Sequence, residues 1–318
     1  MSSILNERRK FFINALGFAL VSGLILYTVQ SSLAFFVGHS HIAQTGKINL
    51  IMQHQIDPDI LFIGSSVAEK GFDIKTIEDK TNNTAYNMGI DGTKITNSRY
   101  VVDEFLEYSK NCKSIVIGMA FFSLGKNHKI HAPERFLAHK SNTFVKKNIL
   151  KIQPDLGRKL YNVPFYSFIV ANHTYYKNAF YGFKNLINQK TWMKDSLKGF
   201  SPSYRKYHDT RKEGKQLGVV PLDNKGVNSY KKIIEEIKAH DIMPTLVLMP
   251  MHNNGQEFFS NIETYKETAQ QLAKDVNVEF YDFSDHDITS HTEYYYNNGH
   301  LNAKGAKYLS ELLSDSLM

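Results

Sequence analysis

Short apolar runs alternate with amphipathic stretches along most of the chain after residue 40. The apolar runs predict strands buried on both faces, and they are DILFIG (59–64), AYNMG (85–89), SIVIGMAFF (114–122), MPTLVLMPM (243–251) and VEFYDF (278–283). Between and after them, polar and apolar positions recur at helical spacing, as in SRYVVDEFLEYSK, VNSYKKIIEEIKAHD, ETYKETAQQLAKD and NAKGAKYLSELLSDSL. Buried strands separated by helices predict an α/β fold, with a mostly parallel sheet between two helical layers.

One long segment, residues 123–226, interrupts this alternation. It is rich in Tyr, Phe, Asn, His and Lys and contains no clear buried strand. Segments of this length inside a domain usually carry structure of their own or a function. We therefore predict a mostly helical insertion. Its aromatic stretch NVPFYSFIVANHTYYKNAFYGF (162–183) favours packing, and a cap that binds substrate or a partner is the alternative.

The N-terminal segment predicts a membrane anchor. Residues 11–38 are uncharged and mostly apolar, whereas a bilayer needs about 20 such residues and a secretory signal only about 7–15. Arg8, Arg9 and Lys10 precede this run, and only Lys47 follows it closely, so the positive-inside rule leaves the N-terminus cytoplasmic. We expect residues 1–40 to be a cytoplasmic stub with a single-pass signal anchor in the inner (cytoplasmic) membrane. Residues 41–318 would then form a periplasmic or extracellular domain.

Composition excludes several classes of protein. Hydrophobic residues make up 42% of the chain and charged residues 22%, which is typical of a globular protein. The formal net charge is +7, but the lysines are scattered beside glutamates, and no nucleic-acid-binding motif is present. The single cysteine, Cys112, excludes an internal disulfide and a multi-cysteine metal site, and it precedes an apolar run as a quiet thiol would.

Two serines follow the first predicted strand, in ILFIGSSVAEKGFD (60–73). In a doubly wound sheet, ligands bind at the carboxyl ends of the strands, where Ser65 and Ser66 fall. Either hydroxyl can cap the next helix by accepting a backbone N–H bond. Alternatively, one serine is a nucleophile, which requires a base. The candidate base is His300, in a polar turn before the final helix, with Asn302 as the expected N-cap.

Three motifs in this order resemble the SGNH/GDSL hydrolase superfamily. They are Gly64-Ser65-Ser66, the block YNMGIDGT (86–93) and the block GHLNAKGA (299–306). The Gly-Ser-Ser variant resembles membrane-anchored relatives that act on cell envelopes, including the D-alanyl transfer protein of teichoic acids and alginate acetylation proteins. The likeness implies a flavodoxin-like three-layer fold and covers the exported part except for the insertion.

The resemblance also assigns site residues. Ser66 takes the nucleophile position and His300 the base position, and the amides of Ser66 and Gly89 would form the oxyanion hole. Asn87 and Ser65 lie in the same blocks and are expected to contact substrate. The implied substrate is an acylated polysaccharide or glycan, the implied partner a multispanning membrane protein that donates the acyl group, and neither a metal nor a cofactor is implied.

The sequence departs from the family pattern at two places. The third block, IGMAFF (117–122), lacks the asparagine that contributes to the oxyanion hole, and Asn127 or Asn253 is a candidate substitute. Asn297 stands where the acid is expected. An asparagine fixes the imidazole tautomer without supplying a charge. The carboxylates of Asp285, Asp287 and Glu293 lie in the same loop and are candidates to replace the acid, as is a backbone carbonyl.

Three hypotheses follow. The first is a serine esterase or O-acyltransferase that uses Ser66 and His300. The second is a binding or assembly module for polysaccharide modification that keeps the fold without turnover, which Asn297 and the missing asparagine favour. The third is a metal-dependent hydrolase that uses His252, His286 and His291, although their spacing matches no metal-binding motif.

Overall fold

The computed structural model describes residues 2–126, 129–188, 196–210 and 217–317. The strands in these residues are β1 (Ile60–Gly64), β2 (Ala85–Asn87), β3 (Ser114–Met119), β4 (Met243–Leu248), β5 (Glu279–Asp282), β6 (Tyr295–Asn297) and β7 (His300–Leu301). The α-helices are α1 (Ser2–Gly38), α2 (Ala43–Met52), α3 (Ser66–Gly71), α4 (Ile74–Thr81), α5 (Arg99–Tyr108), α6 (Thr143–Ile152), α7 (Pro154–Asn162), α8 (Ser167–Val170), α9 (His173–Asn188), α10 (Asn224–Ala239), α11 (Asn253–Gln256), α12 (Ile262–Val276) and α13 (Ala303–Ser314). Short 3₁₀ helices span Pro133–His139, Asp287–Ser290 and Thr292–Tyr294.

The first five strands form one parallel sheet in the order β2-β1-β3-β4-β5. The chain passes from β1 to β2 at one edge and returns to β3 on the other side of β1. This is the flavodoxin-like order, and its switch point lies between β1 and β3, where ligands bind in doubly wound sheets. The predicted α/β fold with a parallel sheet is confirmed.

Each face of the sheet has its own apolar core. Leu61, Ile63 and Ile117 contribute to one core, while Phe62 and Val116 contribute to the other, as expected when successive side chains of a strand point to opposite faces. The first core is covered by α5, α10 and α12, and the second by α3, α4 and α13. Both faces are thus covered by helices, which makes the architecture a three-layer α/β/α sandwich.

Helix α1 is long and apolar enough to cross a membrane over Asn6–Gly38, by length and composition, and its most apolar window is not buried by the rest of the chain. The last turn of α1, in contrast, is partly buried: Val37 is only 1% exposed and belongs to the first core. Helix α2 follows directly and packs against α5 and the 3₁₀ helix Pro133–His139. The division of the chain at residue 40 stays a prediction.

The insertion is mostly helical where it was predicted to be, with a 3₁₀ helix and α6 to α9 between residues 133 and 188. Phe136, Val145, Ile149 and Tyr175 bury these helices against the first core. The described residues between 200 and 223 contain no helix, and His208 and Gly218 form isolated β-bridges there. These residues contact the loop before His300, as described below.

Several strand ends and one helix differ from the sequence prediction, and β2, β3 and β4 all end two or three residues earlier than predicted. Strand β3 ends at Met119 rather than at residue 122, because the chain turns there and the Ala120 N–H donates to Ser123 Oγ. Helix α2 was not predicted, since polar side chains such as Gln44, Lys47 and Asn49 occupy buried positions in it. Their partners come from distant parts of the chain, so no local periodicity marks the helix.

Candidate active site

Helix α3 begins immediately at the end of β1 because three small residues meet there. Gly64 has a φ of +151°, and a Cβ on it would lie 2.7 Å from the Ala68 Cβ. Its register partner Gly118 on β3 would likewise place a Cβ 2.8 Å from Ala68. Both distances are too short for real side chains, so glycine is required at both positions. The two glycines let α3 lie against the sheet and place Ser66 at the switch point.

Neither serine hydroxyl caps helix α3. Ser65 has the extended backbone of an N-cap residue, but its side chain makes no capping hydrogen bond. Its Oγ is buried and has no hydrogen-bond partner among the described residues. The Ser66 Oγ instead lies 2.8 Å from His300 Nε2, across a sequence separation of 234 residues. The helix-capping interpretation therefore fails for both serines, and the structure brings Ser66 and His300 together.

A small hairpin presents His300 to Ser66. Strands β6 and β7 are antiparallel, and Asn297 pairs directly with His300 across the connection formed by Asn298 and Gly299. Directly opposed side chains in such pairs lie within contact of each other. The Asn297 Oδ1 is 3.1 Å from His300 Nδ1 and also accepts the Gly299 N–H at 3.0 Å. Since a backbone N–H needs an acceptor, the amide oxygen, not the amide nitrogen, faces His300.

This orientation determines the histidine tautomer. An amide oxygen only accepts, so the proton of the neutral imidazole is on Nδ1 and Nε2 carries the lone pair that accepts from the Ser66 hydroxyl. The buried environment of His300 and the nearby Lys70 cation lower its pKa to about 4, against a smaller opposing effect of Asp91. His300 is therefore neutral at pH 7 and has the protonation state of a general base.

The hairpin is held in place from several sides. Asn298 accepts the Thr210 N–H and donates to Asp209, and its carbonyl accepts the His252 N–H. His208 lies in the same segment as Asp209 and Thr210 and forms a parallel bridge with Asn297. On the other side, Asn302 caps helix α13 by accepting the Gly305 N–H, as predicted. These contacts limit how far the His300 ring can move relative to Ser66.

The second predicted oxyanion donor is engaged in a different hydrogen bond. The Gly89 N–H donates to Asn87 Oδ1 at 2.9 Å. Asn87 is fully buried, and its amide nitrogen donates to the carbonyls of Ala68 and Phe72 in and after α3, which fixes the side chain. Asn87 thus joins β2 to α3 rather than facing solvent. The Ser66 N–H, at the first position of α3, has no hydrogen bond among the described residues.

A buried ion pair lies behind the serine. Glu69, one turn after Ser66, is 4% exposed and Lys47 of α2 is 6% exposed. The Lys47 Nζ lies 3.3 Å from Glu69 Oε1 and donates to the Gly89 carbonyl at 2.9 Å, while Gln44 donates to the same carboxylate. Helix α2, which follows α1, is therefore hydrogen-bonded to both the serine helix α3 and the Gly89 loop.

The candidate substitutes for the acid and for the missing asparagine lie elsewhere. Asp285 pairs with Lys266, Asp287 contacts His291, and Glu293 lies near His291 and Lys304. Asn297 itself is the partner of His300. Asn253 is exposed at the start of α11, and no contact joins it to Ser66 among the described residues. Asn127 lies outside the described residues.

The three histidines of the metal hypothesis do not converge. His252 accepts the Asn254 N–H, His286 accepts the Ile288 N–H, and His291 contacts Asp287. Among the described residues, no group of three or more His, Cys, Asp or Glu side chains has the arrangement of a metal site. Burial raises the pKa of the Cys112 thiol to about 12, which is the behaviour of a quiet thiol.

Several residues around the site were not singled out from the sequence. The Tyr296 ring stacks on His300 at 5.4 Å between centroids, and Lys70 and Asp91 contribute charge to its surroundings. Tyr296 directly precedes Asn297 in the predicted site loop, so its position could have identified it as a site residue. The sequence gives no sign of Lys47 and Glu69, because two charged residues separated by 22 positions look like two solvated surface charges.

Comparisons with known proteins find only remote structural likeness. No protein-family model matches the chain, and no curated protein matches it. A Streptococcus pneumonia structure provisionally described as a platelet activating factor is 16% identical and has a TM-score of 0.46, covering 96% of this chain and 99% of that one.

Two similar structures are described as esterases. The psychrotrophic esterase EstA from Pseudoalteromonas sp. is 12% identical with a TM-score of 0.41, covering 81% of this chain and 96% of its own. The acetyl xylan esterase AlAXEase is 14% identical with a TM-score of 0.42, covering 81% of this chain and 99% of its own. Because these likenesses are remote, the function proposed below rests on the geometry of Ser66, His300 and Asn297.

Proposed function

We propose that the protein is a membrane-anchored serine esterase or O-acyltransferase that acts on acyl esters of a cell-envelope polysaccharide. The observation that carries this proposal is the hydrogen-bonded series from Ser66 Oγ to His300 Nε2 and from His300 Nδ1 to Asn297 Oδ1. A serine within hydrogen-bond distance of a base that a third group orients is the signature of an activated nucleophile. Its position at the sheet's switch point is where substrates reach such a fold.

The proposed reaction has two halves. In the first, Ser66 Oγ attacks the acyl carbonyl while His300 Nε2 takes the hydroxyl proton, and His300 then returns this proton to the departing alcohol as the old ester bond breaks. In the second, water or a sugar hydroxyl gives its proton to His300 and attacks the acyl-serine carbonyl. His300 then returns this proton to Ser66 Oγ as the bond between the acyl group and the serine breaks. Asn297 keeps the Nδ1–H tautomer throughout, so that Nε2 faces the serine at each proton transfer.

Two features of the site predict slow turnover. Asn297 adds no negative charge to stabilise the imidazolium that forms in each half-reaction, and loss of the acid lowers kcat by roughly 10⁴ in a serine protease. The Ser66 N–H is available to an oxyanion, whereas the Gly89 N–H is engaged by Asn87. One missing donor costs about 2.7–4 kcal/mol of transition-state stabilisation in a protease.

The cellular setting is inferred from the N-terminal segment. Helix α1 has the length and composition of a membrane span, and the cationic residues before it favour a cytoplasmic N-terminus. The domain would then face the periplasm or the cell exterior. Resemblance to membrane-anchored envelope acyltransferases supports an acylated polysaccharide as substrate and a multispanning membrane protein as acyl donor.

A second candidate is a binding or assembly module with the same fold and no turnover. The engaged Gly89 N–H favours it, together with the asparagine in place of the acid. In that case, the hydrogen bond between Ser66 and His300 would serve only to hold the hairpin against α3.

Hydrolysis of p-nitrophenyl acetate by the full chain in detergent separates the two candidates. We expect a slow, saturable reaction that Ser66→Ala reduces to the uncatalysed rate. Ser290→Ala is the matched control, because Ser290 is an exposed serine of the same region that bonds only to Asp287 in the described part of the chain, and it should retain the wild-type rate. Equal rates for the two variants would favour the binding module.

A further inference from the structure

Helix α9 carries an apolar stripe that the described part of the chain leaves uncovered. Tyr176, Phe180, Phe183 and Ile187 are 43%, 54%, 43% and 63% exposed, and their spacing places them on one face of the helix. Leu186, which is 40% exposed, borders the stripe. The aromatic stretch 162–183 predicted that these side chains pack inside the insertion, but the stripe on α9 is exposed. An exposed stripe of large apolar side chains marks an interaction surface.

Helix α9 crosses the end of α1, where that helix would leave a membrane. The Phe183 and Phe36 rings meet edge to face at 5.2 Å between centroids. Asn178 accepts the Ser40 hydroxyl at 2.7 Å, and Asn185 donates to the His39 carbonyl at 2.8 Å. Gly182 lies against the Phe36 carbonyl, and a Cβ there would overlap that oxygen. The helix is thereby fixed to the last turn of the anchor.

We propose that α9 is an interfacial helix whose apolar stripe lies in the lipid of the membrane that α1 spans. This inference rests on the membrane anchoring proposed above. The stripe continues the apolar surface of α1, where Phe35 is 55% exposed next to the crossing point. Tyrosine and phenylalanine suit the boundary between acyl chains and headgroups, where amphipathic helices bury their apolar face.

The charges of α9 also suit a position at the lipid surface. The helix contains Lys177 and Lys184 and no acidic residue. Lys184 lies over the Phe180 ring at 4.7 Å, so a cation stands at the border of the stripe and its stem lies along apolar surface. With α1 spanning the membrane and α9 lying on it, two contacts rather than one tether fix the orientation of the domain.

Spin-label accessibility on the full chain tests this inference. The chain, with Cys112→Ser, is reconstituted in vesicles of phosphatidylethanolamine and phosphatidylglycerol, and single cysteines are introduced as F180C, I187C, L24C and M243C. Collision of each label with oxygen, which concentrates in lipid, is compared with collision with a water-soluble nickel chelate. Leu24 of α1 reports the anchor, and Met243, 68% exposed at the start of β4, is the matched water-facing control.

We expect the labels at positions 180 and 187 to favour oxygen, as the label at 24 does, while the label at 243 favours nickel. Labels at 180 and 187 that match the one at 243 would overturn the inference and leave the anchor intact. Labels at these two positions that are protected from both reagents would also overturn it, because protein rather than lipid would then cover the stripe. A label at 24 exposed to nickel would refute the anchoring itself.

Discussion

The hydrogen bond between Asn297 and His300 fixes the imidazole tautomer but adds no charge to it. Without a carboxylate, nothing in direct contact offsets the burial and the Lys70 cation that lower the pKa of His300 to about 4. The base therefore stays neutral over a wide pH range, while the imidazolium formed during the reaction is poorly stabilised. We therefore expect the asparagine at position 297 to lower kcat and to keep the enzyme active down to lower pH.

Asn297→Asp should have the opposite effect on both kcat and the pH range. Aspartate accepts the same two hydrogen bonds, from His300 Nδ1 and the Gly299 N–H, and its negative charge stabilises protonated His300. We expect a higher kcat and an acid limb of kcat/KM that moves from about pH 4 to higher pH. The measurement is the pH–rate profile of ester hydrolysis for both proteins.

Asn297→Ala provides the control for that experiment. It removes the orienting acceptor without adding charge, so kcat should fall and the acid limb should not move upward. If the aspartate variant kept the wild-type acid limb, His300 would not be the group whose protonation stops the reaction.

The sequence predicted the residues at strand ends better than their hydrogen bonds. Ser66 and His300 were identified because the ends of β1 and of the last loop meet at one edge of a doubly wound sheet. The engagement of Gly89 by Asn87 could not be predicted, since it depends on where α3 packs against β2. The same holds for Asp285, Asp287 and Glu293, whose partners are set by local loop geometry.

At the scale of elements, α2 follows the long apolar helix α1 and is hydrogen-bonded to the serine helix α3. Its Lys47 and Gln44 converge on Glu69 of α3, and Lys47 also bonds the Gly89 carbonyl. A buried carboxylate without a cation is costly, so the buried Glu69 requires Lys47 as its partner.

Lys47→Met should destabilise the protein by about 3–5 kcal/mol, because it leaves the Glu69 charge buried and unpaired. The double variant Lys47→Met, Glu69→Leu should recover most of the loss. Chemical denaturation of the full chain in detergent measures both effects. Lys307→Met, which breaks the exposed pair of Lys307 and Glu311, is the control and should change stability by less than about 1 kcal/mol. Similar losses for the two single variants would contradict a structural role for the buried pair.

Elements whose apolar pattern is local were predicted, and those stabilised by distant partners were not. The parallel strands have continuous apolar runs because both faces are covered, and this signal is independent of their neighbours. Helix α2 buries Thr45, Lys47 and Asn49, whose polar groups are satisfied only in the folded chain. Residues 200–210 pack against the hairpin through His208 and Asn298, which no local pattern indicates.

At the scale of the whole molecule, two partly buried histidines make stability depend on pH. Burial lowers the pKa of His139 to about 4, as it does for His300, and His139 bonds Asn49 at 2.7 Å. In the unfolded chain, both histidines have a pKa near 6.5. Between about pH 6.5 and 4 the unfolded state therefore binds more protons, and stability falls as the pH is lowered.

We expect the stabilisation from these histidines to be complete above about pH 6.5 and to be lost towards pH 4, at roughly 3 kcal/mol for each group. His139→Gln preserves a donor to Asn49 and should flatten the dependence by about half. The check is the free energy of unfolding of both proteins across this range. An unchanged slope in the variant would show that other groups cause the acid sensitivity.

The central claim is that His300 activates Ser66, and covalent labelling tests it most directly. The full chain in detergent is treated with a fluorophosphonate, and the labelled peptide is identified by mass spectrometry, for the wild type and for His300→Ala. We predict a label on Ser66 in the wild type that is lost in His300→Ala while circular dichroism shows both proteins folded. A folded wild type without label on Ser66, or with label that does not depend on His300, would contradict the account.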